Sequence, residues 1–379
     1  MTVPEFLFFA SLFFVLHSYA GYPASLYLVG LFRKERVKMG GDLPDITLVI
    51  TAHNEEKRIA SKIANTLALT YPRERLQIII ASDGSTDGTN AIVAGHREEG
   101  IELLPLRERG GKESAQKEAV AAARGDIIVF SDVATMLDPW GLERIVSGFA
   151  DPTVGCVSSE DRLIGEDGRP SGEGMYVRYE MWLRRLESRV NSLVGLSGSF
   201  FAARKTVCLD FSESMQSDFR TLLNSEKMGL RGISEPKAVG YYRDIADRSR
   251  EFDRKVRTVV RGLTVFFRHV DLLNVFKYGL FSYQLFCHKL LRWLVPVFLA
   301  VLLASSAALA PKSPLFLILL VGQLGFYGLA AWGLKWSRGG AGTITRAPAY
   351  FLTVNASIFV AWWRYLRRQR IVMWSPSER

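Results

Sequence analysis

Four short polar clusters in the first half of the chain carry side chains suited to a phosphorylated, hydroxyl-rich ligand. They read Thr51-Ala52-His53-Asn54-Glu55-Glu56, Ser82-Asp83-Gly84-Ser85-Thr86-Asp87-Gly88-Thr89, Arg109-Gly110-Gly111-Lys112 and Ser131-Asp132. Carboxylates such as Asp83 and Asp132 accept hydrogen bonds from a base or ribose, or hold a cation. A Gly-Gly-Lys turn that opens a helix offers backbone N–H groups and a positive charge to phosphate. Each cluster has a plainer meaning alone. Asp83-Gly84-Ser85 is the composition of a turn with a helix cap, and His53 suits packing or a loop better than proton transfer. Four clusters in one ordered run point instead to a single site. No Walker sequence and no Gly-x-Gly-x-x-Gly after a strand is present, so P-loop and dinucleotide sites are excluded.

The elements that position these clusters alternate. Short apolar or β-branched runs at Ile46–Thr51, Leu76–Ala81, Ile101–Leu106 and Asp126–Ser131 precede them, and Glu55–Leu69, Thr86–Glu99 and Lys112–Arg124 between have helical periodicity. This alternation predicts βαβ units and a mainly parallel α/β sheet over about residues 45–245. In such sheets ligands bind beyond the carboxyl ends of the strands, where the clusters fall.

Apolar residues concentrate at both ends of the 379-residue chain. Residues 4–32 are apolar or aromatic apart from Glu5, His17 and a few small polar residues, enough to span a hydrocarbon layer about 30 Å thick. The basic cluster Arg33, Lys34, Arg36, Lys38 follows this run, which favours an uncleaved N-terminal helix (1–32) over a signal peptide and puts the next domain in the cytosol. Membrane helices are expected again over 288–366: Leu290–Ala310, Leu315–Trp336 and a more polar Ala347–Trp363, with interfacial helices over 246–285 and a basic tail over 367–379. Four spans conflict with the basic residues. Lys335, Arg338 and Arg346 and then Arg364, Arg367, Arg368 and Arg370 all favour the cytosol, so either the last segment is re-entrant or Phe276–Phe286 inserts more deeply. His288, Lys289 and Arg292 read as snorkelling anchors or lipid-phosphate contacts.

A net charge of +10 calls for acidic partners, phosphorylated substrates or anionic lipid. Nucleic acid is set aside, because zinc spacing, helix-turn-helix and aromatic RNA-binding patterns are absent. Cys156, Cys208 and Cys287 form neither a disulfide framework nor a metal pattern, which suits a reduced, cytosol-facing location.

Taken in order, the motifs resemble the family 2 glycosyltransferases, which have the Rossmann-like GT-A fold and include membrane polysaccharide synthases. The resemblance rests on the four clusters (the last as Phe130-Ser131-Asp132), on Gly195-Leu196-Ser197-Gly198-Ser199-Phe200-Phe201 with Arg204-Lys205, and on Gln216-Ser217-Asp218. The basic helix Glu251–Gly262 and Phe286–Pro296 extend it. It implies an inverting transferase that moves sugar from a nucleotide donor, UDP-linked by family habit, to a lipid-linked or polysaccharide acceptor at a bacterial plasma membrane. By the same resemblance Thr51, His53, Glu55 and Asp83 line the donor pocket with Lys112 nearby, Gly198 and Ser199 form the acceptor wall, and Asp218 is the base. Asp132 matches the first carboxylate of the family's Asp-x-Asp metal motif, implying Mg2+ or Mn2+; here the motif reads Asp132-Val133-Ala134, and a cationic clamp is the alternative. Arg257 matches the arginine of the Gln-x-x-Arg-Trp motif of processive synthases, whose Gln and Trp are absent. Its helix also reads as amphipathic, resting Val256, Val259 and Val260 on lipid. Two rival readings stand: a single-sugar transferase onto polyprenyl phosphate, and a degenerate, non-catalytic membrane partner.

Overall fold

A computed structural model describes residues 1–33, 37–164, 175–209, 215–243, 248–336 and 343–369. Lys34, Arg36, Arg338, Arg370 and the tail through Trp374 lie outside them. The chain begins with α1 (Val3–Leu16), a π-helical turn at His17–Gly21 and α2 (Tyr22–Phe32). An α/β region follows: β1 (Ile46–Ala52), α3 (Glu56–Leu67), β2 (Leu76–Ser82), α4 (Thr89–Ala94), β3 (Ile101–Pro105), α5 (Lys112–Ala122), β4 (Ile127–Asp132), β5 (Met136–Leu137), α6 (Gly141–Val146), β6 (Val154–Ile164), α7 (Met175–Val190), β7 (Phe200–Arg204), α8 (Lys205–Cys208), α9 (Ser217–Lys227) and β8 (Arg231–Arg243). The chain continues as α10 (Arg248–Arg268), α11 (Val275–Tyr278), α12 (Leu280–Leu285), a second π-helical turn at Phe286–Leu291, α13 (Arg292–Leu309), α14 (Pro314–Trp336) and α15 (Thr343–Leu366). Two compact units result, one of Met1–Ser25, Asp247–Leu263 and Leu285–Arg370, the other chiefly of Leu26–Ala246 with Thr264–Gln284.

In the second unit eight strands form one sheet in the order β3-β2-β1-β4-β7-β6-β8-β5. β1 is buried at every position, as a parallel strand covered on both faces must be. Ile46, Leu48 and Ile50 pack with Ile59 and Ile63 of α3. Val49 faces the other layer, with Ala115, Ala119 and Val120 of α5. Phe130 and Phe201 stack there across the β4–β7 pairing, ring centroids 4.7 Å apart. β1, β2, β3 and β4 pair in parallel, as their apolar runs predict, and the register sets Thr51 beside Asp132. Beyond those runs, β7 joins β4 to β6 by antiparallel pairing and β6 pairs in parallel with β8, a half of the sheet that the apolar runs do not predict. The helix expected from Thr86 starts only at Thr89, because Asp87 accepts the Thr89 N–H (3.0 Å) and hydroxyl (2.6 Å) and ends the preceding loop. Cys156 and Cys208 are buried, and desolvation raises both thiols, that of Cys208 to about 12, which keeps them unreactive.

The first unit corrects the membrane expectations. Three helical segments among the described residues are long and apolar enough to cross a membrane: Val3–Phe32, Leu280–Lys312 and Pro314–Lys335. The middle one starts about a turn and a half before Leu285, continuing through the π-helical turn, rather than at Leu290. α15 covers Ala347–Trp363 but is not one of the three; Asn355 and Ser357 are buried within it, and Trp362 Nε1 donates to the Trp293 carbonyl at 2.8 Å. On α10, Val256 and Val260 are buried by protein rather than laid open to lipid. Lys255 lies over the Tyr350 ring, 5.0 Å from its centroid.

Truncating the stacked pair tests the sheet core. Phe201→Ala should cost about 3–5 kcal/mol and Phe201→Leu clearly less, read as the shift in urea midpoint of the detergent-solubilised protein. Equal, small shifts for both would show that the stack is not part of a tightly packed core.

Candidate active site

The loops after β1 and β2 are stitched together before any ligand arrives. His53 Nδ1 lies 2.6 Å from the Asp83 carbonyl, a loop-bracing role. Asn54 adopts a left-handed φ of 51°; its side chain accepts the Thr86 N–H (2.9 Å) and its own N–H donates to Ser85 Oγ (3.1 Å). The Glu55 N–H donates to Thr89 Oγ1 at 2.8 Å, and its carboxylate takes two N–H groups of Arg58 at 2.7 and 2.8 Å. Burial raises the pKa of Glu55, and Arg58 opposes that shift.

Asp83 is fully buried, and its carboxylate accepts the N–H of Gly110 (2.7 Å) and that of Gly111 (2.9 Å). A buried carboxylate requires such donors. Two N–H groups that the sequence offered to phosphate are therefore engaged by Asp83 instead, a correction to that expectation. Gly84 has φ 58°, and a Cβ there would lie 2.8 Å from the Arg109 nitrogen, so only glycine lets this turn approach. The clamp holds Lys112 at the first residue of α5.

Lys112 Nζ lies 2.5 Å from Asp132 Oδ1 and 2.9 Å from the Gly198 carbonyl. The Asp132 N–H donates to the Ser199 carbonyl at 3.0 Å. Asp218 is the second residue of α9. It is buried, and its Oδ2 accepts from Gln216 Nε2 at 3.0 Å. Gly198 abuts it, since a Cβ on Gly198 would lie 3.1 Å from Asp218 Oδ2. Thr51 Oγ1, beside Asp132 in register, is buried with no hydrogen-bond partner among the described residues. The structure thus gathers Thr51, Lys112, Asp132, Gly198, Ser199 and Asp218, while His53, Glu55 and Asp83 organise the loops around them. Arg257 belongs to α10 of the other unit; burial, then Arg261 and Arg254, lower its pKa, and Asp253 opposes them.

Lys62 and Asp161, to which the sequence gives no role, and Gln216, which it quotes only within a motif, also support the site. Lys62 of α3 is fully buried, with Nζ donating to Ser131 Oγ (2.8 Å) and the Thr135 carbonyl (2.5 Å), so it braces the turn that carries Asp132. Its signal was a lysine beside Ile59 and Ile63 on the apolar face of a helix. Asp161 of β6 accepts from Ser197 Oγ (2.7 Å) and Ser199 Oγ (2.8 Å). Gln216 orients Asp218. As a metal site the donor set is poor. Among the described residues no three His, Cys, Asp or Glu groups converge, Val133 and Ala134 follow Asp132, and its carboxylate already holds the Lys112 ammonium.

Residues 47–209 match the profile of Glycosyl transferase family 2. The chain carries a family 2 glycosyltransferase domain. Over 127 residues it is 32% identical to the Beta-monoglucosyldiacylglycerol synthase of Synechocystis sp., a stretch covering 32% of this chain and 26% of that protein. Over 174 residues it is 26% identical to the Poly-beta-1,6-N-acetyl-D-glucosamine synthase of Staphylococcus aureus, covering 45% of this chain and 42% of that one. Each match spans less than half of the relative's length. The fold superposes on that of a mannosyltransferase from Pyrobaculum calidifontis, solved with GDP-Man and Mn2+, with a TM-score of 0.77 at 22% identity over 97% of this chain and 100% of that one. The domain therefore has the GT-A fold.

Lys62 makes a pH test. Burial pushes its pKa down from 10.5 to about 7, with Asp132 opposing. Between those values the unfolded chain binds a proton that the folded chain lacks, so this group's contribution makes stability rise with pH from about 7. Lys62→Met should remove that rise. Thermal midpoints of wild type minus variant should climb between about pH 7 and pH 9, and a flat difference would contradict the assignment.

Proposed function

We propose that this glycosyltransferase takes sugar from a nucleotide-sugar donor and transfers it, with inversion, to a hydroxyl of a lipid-linked or polysaccharide acceptor. The observation that carries the reading is the convergence of Lys112, Asp132, Gly198 and Asp218. A leaving nucleoside diphosphate needs positive charge at the phosphate and the incoming hydroxyl needs a base. Lys112 supplies the charge. Asp218 takes the hydroxyl proton as the acceptor oxygen bonds to the anomeric carbon and the carbon–phosphate-oxygen bond breaks on the opposite face. One base and one displacement give inversion. Mg2+ or Mn2+ would supply Lewis-acid charge to the diphosphate, but a lone carboxylate paired with an ammonium is a poor oxygen cage, so no step is assigned to it.

The relatives' names pair a glucosyl-lipid with a polysaccharide, which supports a lipid or glycan hydroxyl as the acceptor class. Absence of the Gln and Trp flanking Arg257 favours single-sugar addition over processive synthesis. Three crossings, instead of four, leave Arg33, Lys335, Arg346, Arg364 and Arg367 on one side, which supports a cytosolic catalytic domain at a plasma membrane.

A panel of UDP-glucose, UDP-N-acetylglucosamine and GDP-mannose, scored for thermal stabilisation and hydrolysis, tests the donor class; silence from every donor would reject it. Asp218→Asn should keep nucleotide binding and lower transfer at least about 10²-fold, whereas Lys112→Met should weaken both. Near-normal turnover of Asp218→Asn would remove it as base. Arg257→Lys separates two anions. If Arg257 binds a diphosphate, losing the bidentate fork lowers turnover; if it only meets lipid headgroups, lysine serves equally and activity is unchanged.

A further inference from the structure

Asp161 stands outside every motif that the family resemblance uses, yet it holds the segment that joins the parts of the site. Ser197 and Ser199 both donate to the same oxygen, Asp161 Oδ1, and their own hydroxyl oxygens lie 3.0 Å apart. The Ser197 N–H also donates to Ser158 Oγ at 2.8 Å, so the turn is fastened to β6 at two points. Between the serines, Gly198 gives its carbonyl to Lys112 and presses its α-carbon toward Asp218. The Ser199 carbonyl takes the Asp132 N–H. One carboxylate therefore anchors a three-residue turn that touches Lys112 and Asp132 on one side and Asp218 on the other. A single carboxylate oxygen has lone pairs for two donors, and its charge strengthens both bonds.

We propose that Asp161 is an acceptor-side positioning residue. It sets the Ser197–Ser199 wall against which an acceptor hydroxyl rests beside Asp218, so that a bulky alcohol is held in line for attack. Water is small enough to reach the anomeric carbon without that wall. Loss of Asp161 should therefore cost transfer far more than donor hydrolysis, since a misplacement on the order of 1 Å costs up to about 10²-fold for an oriented reactant. The inference rests on the glycosyl-transfer reading of this same site.

The test uses the full chain in its own membranes with whichever of radiolabelled UDP-glucose, UDP-N-acetylglucosamine or GDP-mannose the wild type turns over. Sugar passing into butanol-extractable or insoluble material measures transfer, and free sugar measures hydrolysis. Asp161→Ala should lower the transfer-to-hydrolysis ratio at least about tenfold, with stabilisation by UDP or GDP unchanged. Asp161→Asn keeps the shape and one acceptor oxygen, so its ratio should fall less. The double variant Ser197→Ala/Ser199→Ala should match Asp161→Ala, and combining all three should add nothing, because they share one network. If Asp161→Ala fails to fold, the asparagine and double-serine variants decide. A ratio unchanged in these variants, whether the two rates hold or fall together, overturns the proposal. A wild type that processes none of the donors overturns the glycosyl-transfer reading and this inference with it.

Discussion

The Lys112 ammonium lies between the Asp132 carboxylate and the Gly198 carbonyl, and the geometry of the α/β unit converges on that position. An ammonium taken this far out of water needs a counter-charge and further acceptors. Strand register supplies the first by setting Asp132 at the end of β4 beside Thr51. The antiparallel β7 supplies the second by returning the Ser197–Ser199 turn to the same edge. Asp83 fixes where α5 begins through its bonds to Gly110 and Gly111, and Lys62 holds the turn after Asp132 from beneath. The proposed donor's diphosphate would meet a lysine that is already oriented, which leaves little ordering to be done at binding.

That arrangement also bears on how an incomplete Asp-x-Asp motif is compatible with chemistry. The second carboxylate is replaced by Ala134, and two buried lysines surround the first, Lys112 in direct contact and Lys62 through the flanking residues. The Lys112 ammonium thus sets a positive charge beside the one carboxylate of the motif that remains. Asp132 then has a second duty as the counter-ion that keeps Lys112 extended.

The parallel half of the fold was legible because fully buried strands read as continuous apolar runs, and their polar ends mark the site. The sequence sets Thr51, Lys112 and Asp132 in those polar ends, and the resemblance adds Asp218. The other half was hidden: the end of β6 reads Glu160-Asp161-Arg162, which carries no apolar alternation although it pairs in parallel with β8. Asp161 was missed for that reason. Asp83 falls in the same ends, and no spacing rule reveals that its carboxylate turns back onto the N–H groups of Gly110 and Gly111. In the membrane unit the apolar lengths were legible, while the burial of Val256 and Val260 by protein depended on tertiary packing that helical periodicity does not encode.

A single displacement with one base is read in the configuration of the first product. Proton NMR of the wild-type enzyme hydrolysing an α-linked nucleotide sugar in deuterated buffer, read before mutarotation, resolves the two anomers. Inversion predicts that the β-anomer accumulates first. Initial release of the α-anomer would contradict the mechanism and with it the roles given to Asp218 and Lys112.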